Sequence, residues 1–321
     1  MALKQDVLAA LIENRGSIVS GEHLAQRFGV SRAAVWKAIA ALKAEGNRIE
    51  AGSRRGYCLT TDSDVLSRAS LLPFLSEDSR VRERLTVLPE CTCTNDLARI
   101  LAQEGAPAGT AVVAGSQTQG RGRRGHTFYS PRGGVYLSMV LRPTLPLEDT
   151  TRLTMAAAVA VCQAVQEVCG RELSIKWVND LYWRNWKVGG ILTEAAADLE
   201  GGTLDYAVVG IGLNVHWEES VPPELDGIAG ALYDNKPDGE CRSQLAAALL
   251  QRLDGIEDQP EKALEEYRAR SFLPGRDIEI LSGRRTGQAR ALDITPSGGL
   301  LVQYPDGEQA ILLSGEVRVS F

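Results

Sequence analysis

Apolar residues recur at helical spacing from the start of the chain. Val7, Leu8, Leu11 and Ile12 share one face of a helix predicted over residues 5–14. Ser20 is placed to cap a second helix that carries Leu24, Ala25 and Phe28, and Gly29 ends it. Ser31 caps a third helix, with Val35, Ile39 and Leu42 inward and Arg32, Trp36, Lys37 and Lys43 elsewhere. Short helices, a glycine-containing turn and a basic third helix form a helix-turn-helix pattern. The stretch from Arg48 to Leu59 then reads as a β-hairpin with tip GSRRG, the wing of a winged helix. Polar residues 60–64 look like a linker. From 65 to 270 the pattern is mixed. Helices are predicted near 64–76, 94–104, 150–170, 241–254 and 260–270. Strands are predicted near 84–89, 110–116, 134–142, 173–177, 187–197 and 204–215. After a hinge expected at Phe272 to Gly275, short alternating strands near 277–281, 287–294, 300–304 and 310–313 suggest a small all-β barrel. The fold class is therefore α+β, in units 1–62, 65–270 and 272–321.

Charge sharpens this division. The whole chain carries −6, but residues 1–60 hold nine Lys/Arg and five Asp/Glu, a net of +4, which leaves −10 for the rest. A basic head on an acidic body points to a head that meets a polyanion. With 321 residues, 44% of them hydrophobic, the chain can bury a large core without staples. The six cysteines form no CxxC pair, so reduced thiols in a cytoplasm are expected. Cys91 and Cys93 lack the clustered partners of a metal site. No apolar run is long enough to span a bilayer, and no signal peptide is read at the start.

Chemistry concentrates in loops. Residues 117–125 read QTQGRGRRG between two predicted strands. Glycines let the backbone bend toward a ligand, and Arg121, Arg123 and Arg124 offer planar donors for phosphate or carboxylate. Alone, such a loop is as readily a surface turn or an RNA-contacting tract. Asn179 and Asp180 supply adjacent hard oxygens that suit Mg²⁺ and a nucleotide, although an Asn-Asp pair alone is usually a turn. Lys187 precedes Gly189 and Gly190, and Gly210-Ile-Gly-Leu-Asn214 ends a buried strand in small residues and one amide. Each signal is weak alone, and their order and spacing make them strong.

Together these motifs resemble the biotin–protein ligases, specifically the bifunctional ligases that also repress the biotin operon. Gly120-Arg-Gly-Arg-Arg-Gly125 is the most specific element, with Lys176-Trp-x-Asn-Asp, Lys187-x-x-Gly-Ile-Leu and Gly210-x-Gly-x-Asn214 in support. The resemblance implies a central domain like class II aminoacyl-tRNA synthetases and an SH3-like C-terminal domain. It also implies two reactions: biotin and ATP give biotinyl-5′-adenylate, then biotin passes to a lysine of a biotin carboxyl carrier protein domain. Cys93-Thr94-Asn95 matches a Ser-Thr-Asn turn that, with Gln117, holds the ureido head. A thiol is the weaker hydrogen-bonding group, so Thr94 and Gln117 keep the pocket.

In this reading Lys187 takes the biotin carboxylate and α-phosphate and, with Arg123, carries catalysis. Gly120, Arg121, Gly122 and Arg123 fold over biotin, and Gly190 lets the backbone touch it. Arg123, Arg124, Asn179, Asp180, Lys187 and Asn214 contact the nucleotide, and Asp180 meets Mg²⁺. Ser31, Arg32, Trp36 and Lys37, with Arg54 and Arg55 of the wing, contact operator DNA as part of a ligand-promoted homodimer. The rival readings are a biotin-sensing repressor without catalysis and a lipoate–protein ligase relative. A helical head that only braces the ligase is the plainer alternative for the N-terminus.

Overall fold

The computed structural model describes residues 2–52, 56–146, 149–197, 203–218 and 220–319. Three helices, α1 (Ala2–Glu13), α2 (Gly21–Arg27) and α3 (Arg32–Ala44), open the chain, and a hairpin of β1 (Ile49–Gly52) and β2 (Gly56–Leu59) follows. The Ser20 and Ser31 hydroxyls accept from backbone N–H groups in the first turns of α2 and α3, which satisfies donors that a helix start leaves open. Leu11, Leu24, Val35, Leu42 and Leu59 form a separate small core. The hairpin is tied to the helices through backbone bonds between Val19 and Tyr57.

The polar stretch 60–64 is not a loose linker. Ser63 and Asp64 are buried. Arg15 donates to the Thr60 and Ser63 carbonyls and pairs with Glu240, while Lys236 and Arg242 donate to the Asp62 and Asp64 carbonyls. Polar residues there satisfy a packed joint rather than water.

The helix predicted over 64–76 is also shorter. Ser67 and Ser70 close a capping box on α4 (Arg68–Leu71), and a 3₁₀ turn at Leu72–Phe74 follows, because Pro73 lacks the N–H that a longer helix needs. A second 3₁₀ turn, Arg80–Glu83, leads into β3 (Leu85–Leu88). The central unit continues with α5 (Thr94–Gln103), β4 (Ala111–Ala114), β5 (Val135–Leu141), α6 (Thr150–Cys169), β6 (Ser174–Lys176), β7 (Asp180–Trp183), β8 (Trp186–Ala197) and β9 (Leu204–Leu213). Next come α7 (Cys241–Leu253), a 3₁₀ turn at Pro260–Ala263 and α8 (Leu264–Arg270). The sheet runs β3-β4-β5-β9-β8-β7-β6; β3 and β4 are parallel and the other neighbours antiparallel. α6 is buried in the main core through its middle, from Leu153 to Val165 apart from half-buried Gln163, and the smaller apolar cluster around α5 includes Ala98, Val112 and Val208.

The expected hinge is packed as well. Leu273 is fully buried, and the Phe272 ring meets Tyr182 edge-on at 5.4 Å. Beyond it lie β10 (Asp277–Ile280), β11 (Gly287–Ile294), β12 (Leu300–Gln303), β13 (Gln309–Leu312) and β14 (Val317–Arg318). They form an antiparallel sheet ordered β13-β12-β11-β10-β14. Its apolar side chains join the central core. Trp177 Nε1 donates to the Gly298 carbonyl at 2.8 Å, which fixes this domain against the β6–β7 turn.

Candidate active site and DNA-contacting face

A cavity of about 240 Å³ opens over the β8–β9 ribbon. One end is neutral. Thr94 donates through its backbone N–H (2.7 Å) and its hydroxyl (3.1 Å) to Gln117 Oε1. Gln117 Nε2 donates to Ser130 Oγ at 2.9 Å. Ser138 Oγ lies 2.8 Å from Thr94 Oγ1 and 2.6 Å from Asn95 Oδ1. Cys93 is 2% exposed and occupies the N-cap position of α5 without a side-chain cap bond. The other end is cationic. Arg123, Arg124, Lys176 and Lys187 line the cavity against the carboxylates of Asp180 and Glu316. Such a surplus on a protein of net charge −6 selects an anion.

The floor is made of glycines. A side chain at Gly210 would sit 1.8 Å from Asn95 Oδ1, and one at Gly212 would sit 2.4 Å from the Phe128 ring. Phe128 also faces Gly190, so its ring forms an apolar wall above the ribbon. Gly120 admits no side chain either: its Cβ would meet the Phe128 carbonyl and Ser130 Oγ at 2.4 Å. Phe128 stands outside the expected site residues, although Gly190 and Gly212 together signal that something bulky must approach.

The three loop arginines reach three different walls. Arg121 pairs with Asp96 (2.8 Å) and with Glu194. Arg123 donates to Asn179 Oδ1 at 3.3 Å. Arg124, at φ 57°, bonds Ser282 of the C-terminal domain. Lys187 Nζ lies 2.6 Å from Asp180 Oδ1, and Asn179 Nδ2 donates to the Ile191 carbonyl at 3.0 Å. Burial holds the Lys176 ammonium below its ordinary pKa against the pull of Asp180, and burial with nearby Arg124 does the same to Arg123. Two partly desolvated cations with few counter-charges suit an incoming phosphate. Asn179 and Asp180 place two oxygens side by side at the cationic end, Asp180 Oδ1 against Lys187 and Asn179 Oδ1 against Arg123.

Most of the expected site residues converge here: Cys93, Thr94, Asn95, Gln117, Arg121, Gly122, Arg123, Arg124, Asn179, Asp180, Lys187 and Gly190 all line the cavity. Gly120 and Asn214 do not. Gly120 packs against the Phe128 carbonyl and Ser130. Asn214 is buried just past the end of β9, where Nδ2 donates to the Gly230 carbonyl at 3.0 Å. Gly315, Glu316 and Val317 form a wall that sequence reasoning missed, because they lie far along the chain from every motif.

In the N-terminal domain, α3 presents Ser31, Arg32, Trp36 and Lys37 to solvent. Trp36 is 61% exposed, although nothing in the fold requires an indole there. The Ser31 hydroxyl accepts from Ala34 N–H at 3.2 Å. Arg54 and Arg55 lie outside the described residues.

A cavity with one neutral hydrogen-bonding end and one cationic end suits a ligand that carries an acid group. The biotin/lipoate A/B protein ligase family matches residues 89–214, an HTH domain matches 4–58, and the biotin protein ligase C-terminal domain matches 275–319. The chain is 33% identical to the bifunctional ligase/repressor BirA of Bacillus subtilis over 96% of each chain. It is 31% identical to the BirA of Escherichia coli over 97% of this chain and 96% of that one. Among solved structures, the Aquifex aeolicus biotin protein ligase in complex with biotin and ATP is 28% identical, with a TM-score of 0.61. That match covers 74% of this chain and 98% of the other. The chain belongs to the family of bifunctional biotin ligase/repressors.

Proposed function

We infer that this protein activates biotin with ATP to biotinyl-5′-adenylate, transfers biotin to a lysine of a biotin carboxyl carrier protein domain, and represses transcription through its N-terminal domain. The observation that carries this reading is the polarity of the cavity. Neutral hydrogen-bonding groups at Thr94 and Gln117 suit a ureido ring, and the cations around Lys187 suit a carboxylate and phosphates. The separate matches to an HTH domain and to a biotin protein ligase C-terminal domain favour biotin over lipoate.

In the first step a biotin carboxylate oxygen attacks the α-phosphorus and pyrophosphate leaves. Both reactants are anions, so the protein must neutralise charge and hold them in line. Lys187, Lys176 and Arg123 do this. Asn179 and Asp180 would hold Mg²⁺, which supplies further neutralisation of phosphate charge when bound. In the second step the acceptor amine attacks the mixed anhydride, loses a proton and releases AMP. The loop at 117–128 covers the intermediate and keeps water away. Asn214 supports the ribbon end that meets the nucleotide rather than the ligand itself.

The finer architecture follows the same reading: a class II synthetase-like central sheet and an SH3-like C-terminal domain. On the DNA side, α3 enters a major groove, and Arg32, Trp36 and Lys37 meet operator DNA with Arg54 and Arg55 of the wing. A homodimer promoted by biotinyl-adenylate presents two heads to a palindrome. The setting is cytoplasmic; no helix among the described residues is long and apolar enough to cross a membrane. The test incubates the protein with ATP, labelled biotin and a carrier domain. ATP-dependent label on one carrier lysine is expected, and its absence overturns the catalytic reading.

A further inference from the structure

We propose that Glu194 is a positioning residue that couples closure of the glycine–arginine loop to the floor of the biotin pocket. This rests on the reading of residues 117–128 as the cover of that pocket. Glu194 lies on β8 and divides its carboxylate between two jobs. Oε1 pairs with Arg121 Nη2 of the loop, and Oε2 accepts from Asn95 Nδ2 at 2.9 Å. Asn95 is 3% exposed and held from every side. Its Nδ2 also donates to the Leu192 carbonyl at 3.2 Å, and its Oδ1 lies 2.6 Å from Ser138 Oγ. Gly210 leaves room for it and for no side chain of its own. Asn95 in turn adjoins Thr94, whose N–H and hydroxyl hold Gln117.

One carboxylate thus ties a loop cation to a buried wall amide. A second tie is Asp96, whose Oδ1 lies 2.8 Å from Arg121 Nη1 and 3.1 Å from Arg99. Asp96 follows Asn95 on α5, but its carboxylate pairs with Arg99 and Arg121 and not with the Asn95 side chain, so it clamps the loop without holding that amide. Arg121 therefore acts as a latch rather than as a ligand donor: both ends of its guanidinium are engaged by carboxylates. Arg123 and Arg124, which reach other walls, remain the loop cations available to the anion.

The experiment compares wild type, Glu194→Gln, Asp96→Asn and Arg123→Gly, all as full-length chains checked by thermal melting. Trypsin cleavage after Arg121, Arg123 and Arg124 reports loop opening without reference to activity. Partly exposed ion pairs of this kind hold by a modest margin, so both acid variants should be cut about two- to fivefold faster than wild type. Cleavage of wild type should rise with salt, which screens the latch, and cleavage of Glu194→Gln should rise less. Glu194→Gln should also raise the KM for biotin more than Asp96→Asn does, with kcat near wild type, because it alone loosens Asn95. Equal KM effects of the two acid variants, or wild-type cleavage of Glu194→Gln, overturn the proposal. Arg123→Gly separates the two readings. If it releases adenylate onto bystander lysines while Glu194→Gln does not, the cover stands and the latch falls. If neither variant releases adenylate, the cover reading falls and takes the latch with it. Should Glu194→Gln melt early, Glu194→Asp, which keeps the charge, must restore both the melting temperature and the slow cleavage.

Discussion

In the proposed reaction Lys187 meets both anions, and its ammonium is already paired with Asp180 at 2.6 Å. That pair holds the lysine in place before ligand arrives, so little ordering remains to be done at binding. Lys187→Ala removes the charge and leaves Asp180 facing the incoming carboxylate. We expect biotin-dependent pyrophosphate exchange to fall by on the order of 100-fold or more in a protein that still melts cooperatively; exchange within a few-fold of wild type would remove Lys187 from its role. Cys93 poses the opposite case. It starts α5 with no side-chain cap, and its thiol is a poor hydrogen-bonding group. Cys93→Ser puts a capping oxygen at the helix start, which stabilises by about 1 kcal/mol. Melting should rise and biotin binding should hold or tighten, as read by calorimetry. A tenfold loss of affinity would show that the pocket is shaped around sulfur.

At the scale of elements, the close approach of β9 to α5 sets the cavity floor. Gly210→Ala would drive a methyl into Asn95 Oδ1, which is itself held by Ser138. Neither neighbour can retreat cheaply, so overpacking should destabilise the protein by about 1–3 kcal/mol and weaken biotin binding in parallel. A melting temperature and biotin affinity equal to wild type would place the floor elsewhere. Elements of this sort were legible from sequence where their cause is local. Ser20 and Ser31 announced α2 and α3, because an N-cap hydroxyl acts within three residues. β7 escaped, since four residues inside a ligand motif show no periodicity of their own and form a strand only by pairing with β6 and β8. The same reason hid Glu194, which meets Arg121 across 73 positions of sequence. The glycine–arginine loop, Asn179, Asp180 and Lys187 were legible because their chemistry is written in consecutive residues. The wall at Gly315 to Val317 was not, because only tertiary packing brings it to the cavity.

Across the whole molecule, the joint between head and body is built of charge. Asp64 is 4% exposed, and neither carboxylate oxygen finds a hydrogen-bond partner among the described residues. Burial pushes its pKa up, against the pull of Arg242, Lys236 and Arg15. An acid raised in the folded state gives full stability below the ordinary carboxylate range and loses it as pH rises through the raised value. Asp64→Asn should therefore melt higher than wild type at neutral pH, by about 1 kcal/mol. The difference should vanish in acid below about pH 4. A variant less stable at neutral pH would assign the ionised carboxylate a stabilising place in the joint. On the head itself, Arg32→Ala and Lys37→Ala should each weaken operator binding in a mobility-shift assay. A phosphate contact would also flatten the salt dependence by about one unit of log–log slope. No change in either variant would move the DNA to another face. The cavity has a last consequence in time. Its walls are drawn from Cys93 through Val317, and the final wall is laid by the C-terminal domain. During synthesis the loop and the lysine are made long before the surface that completes them. A growing chain therefore carries every motif of the ligase while lacking a closed chamber, and it can begin to guard a reactive anhydride only after residue 317 has left the ribosome and docked.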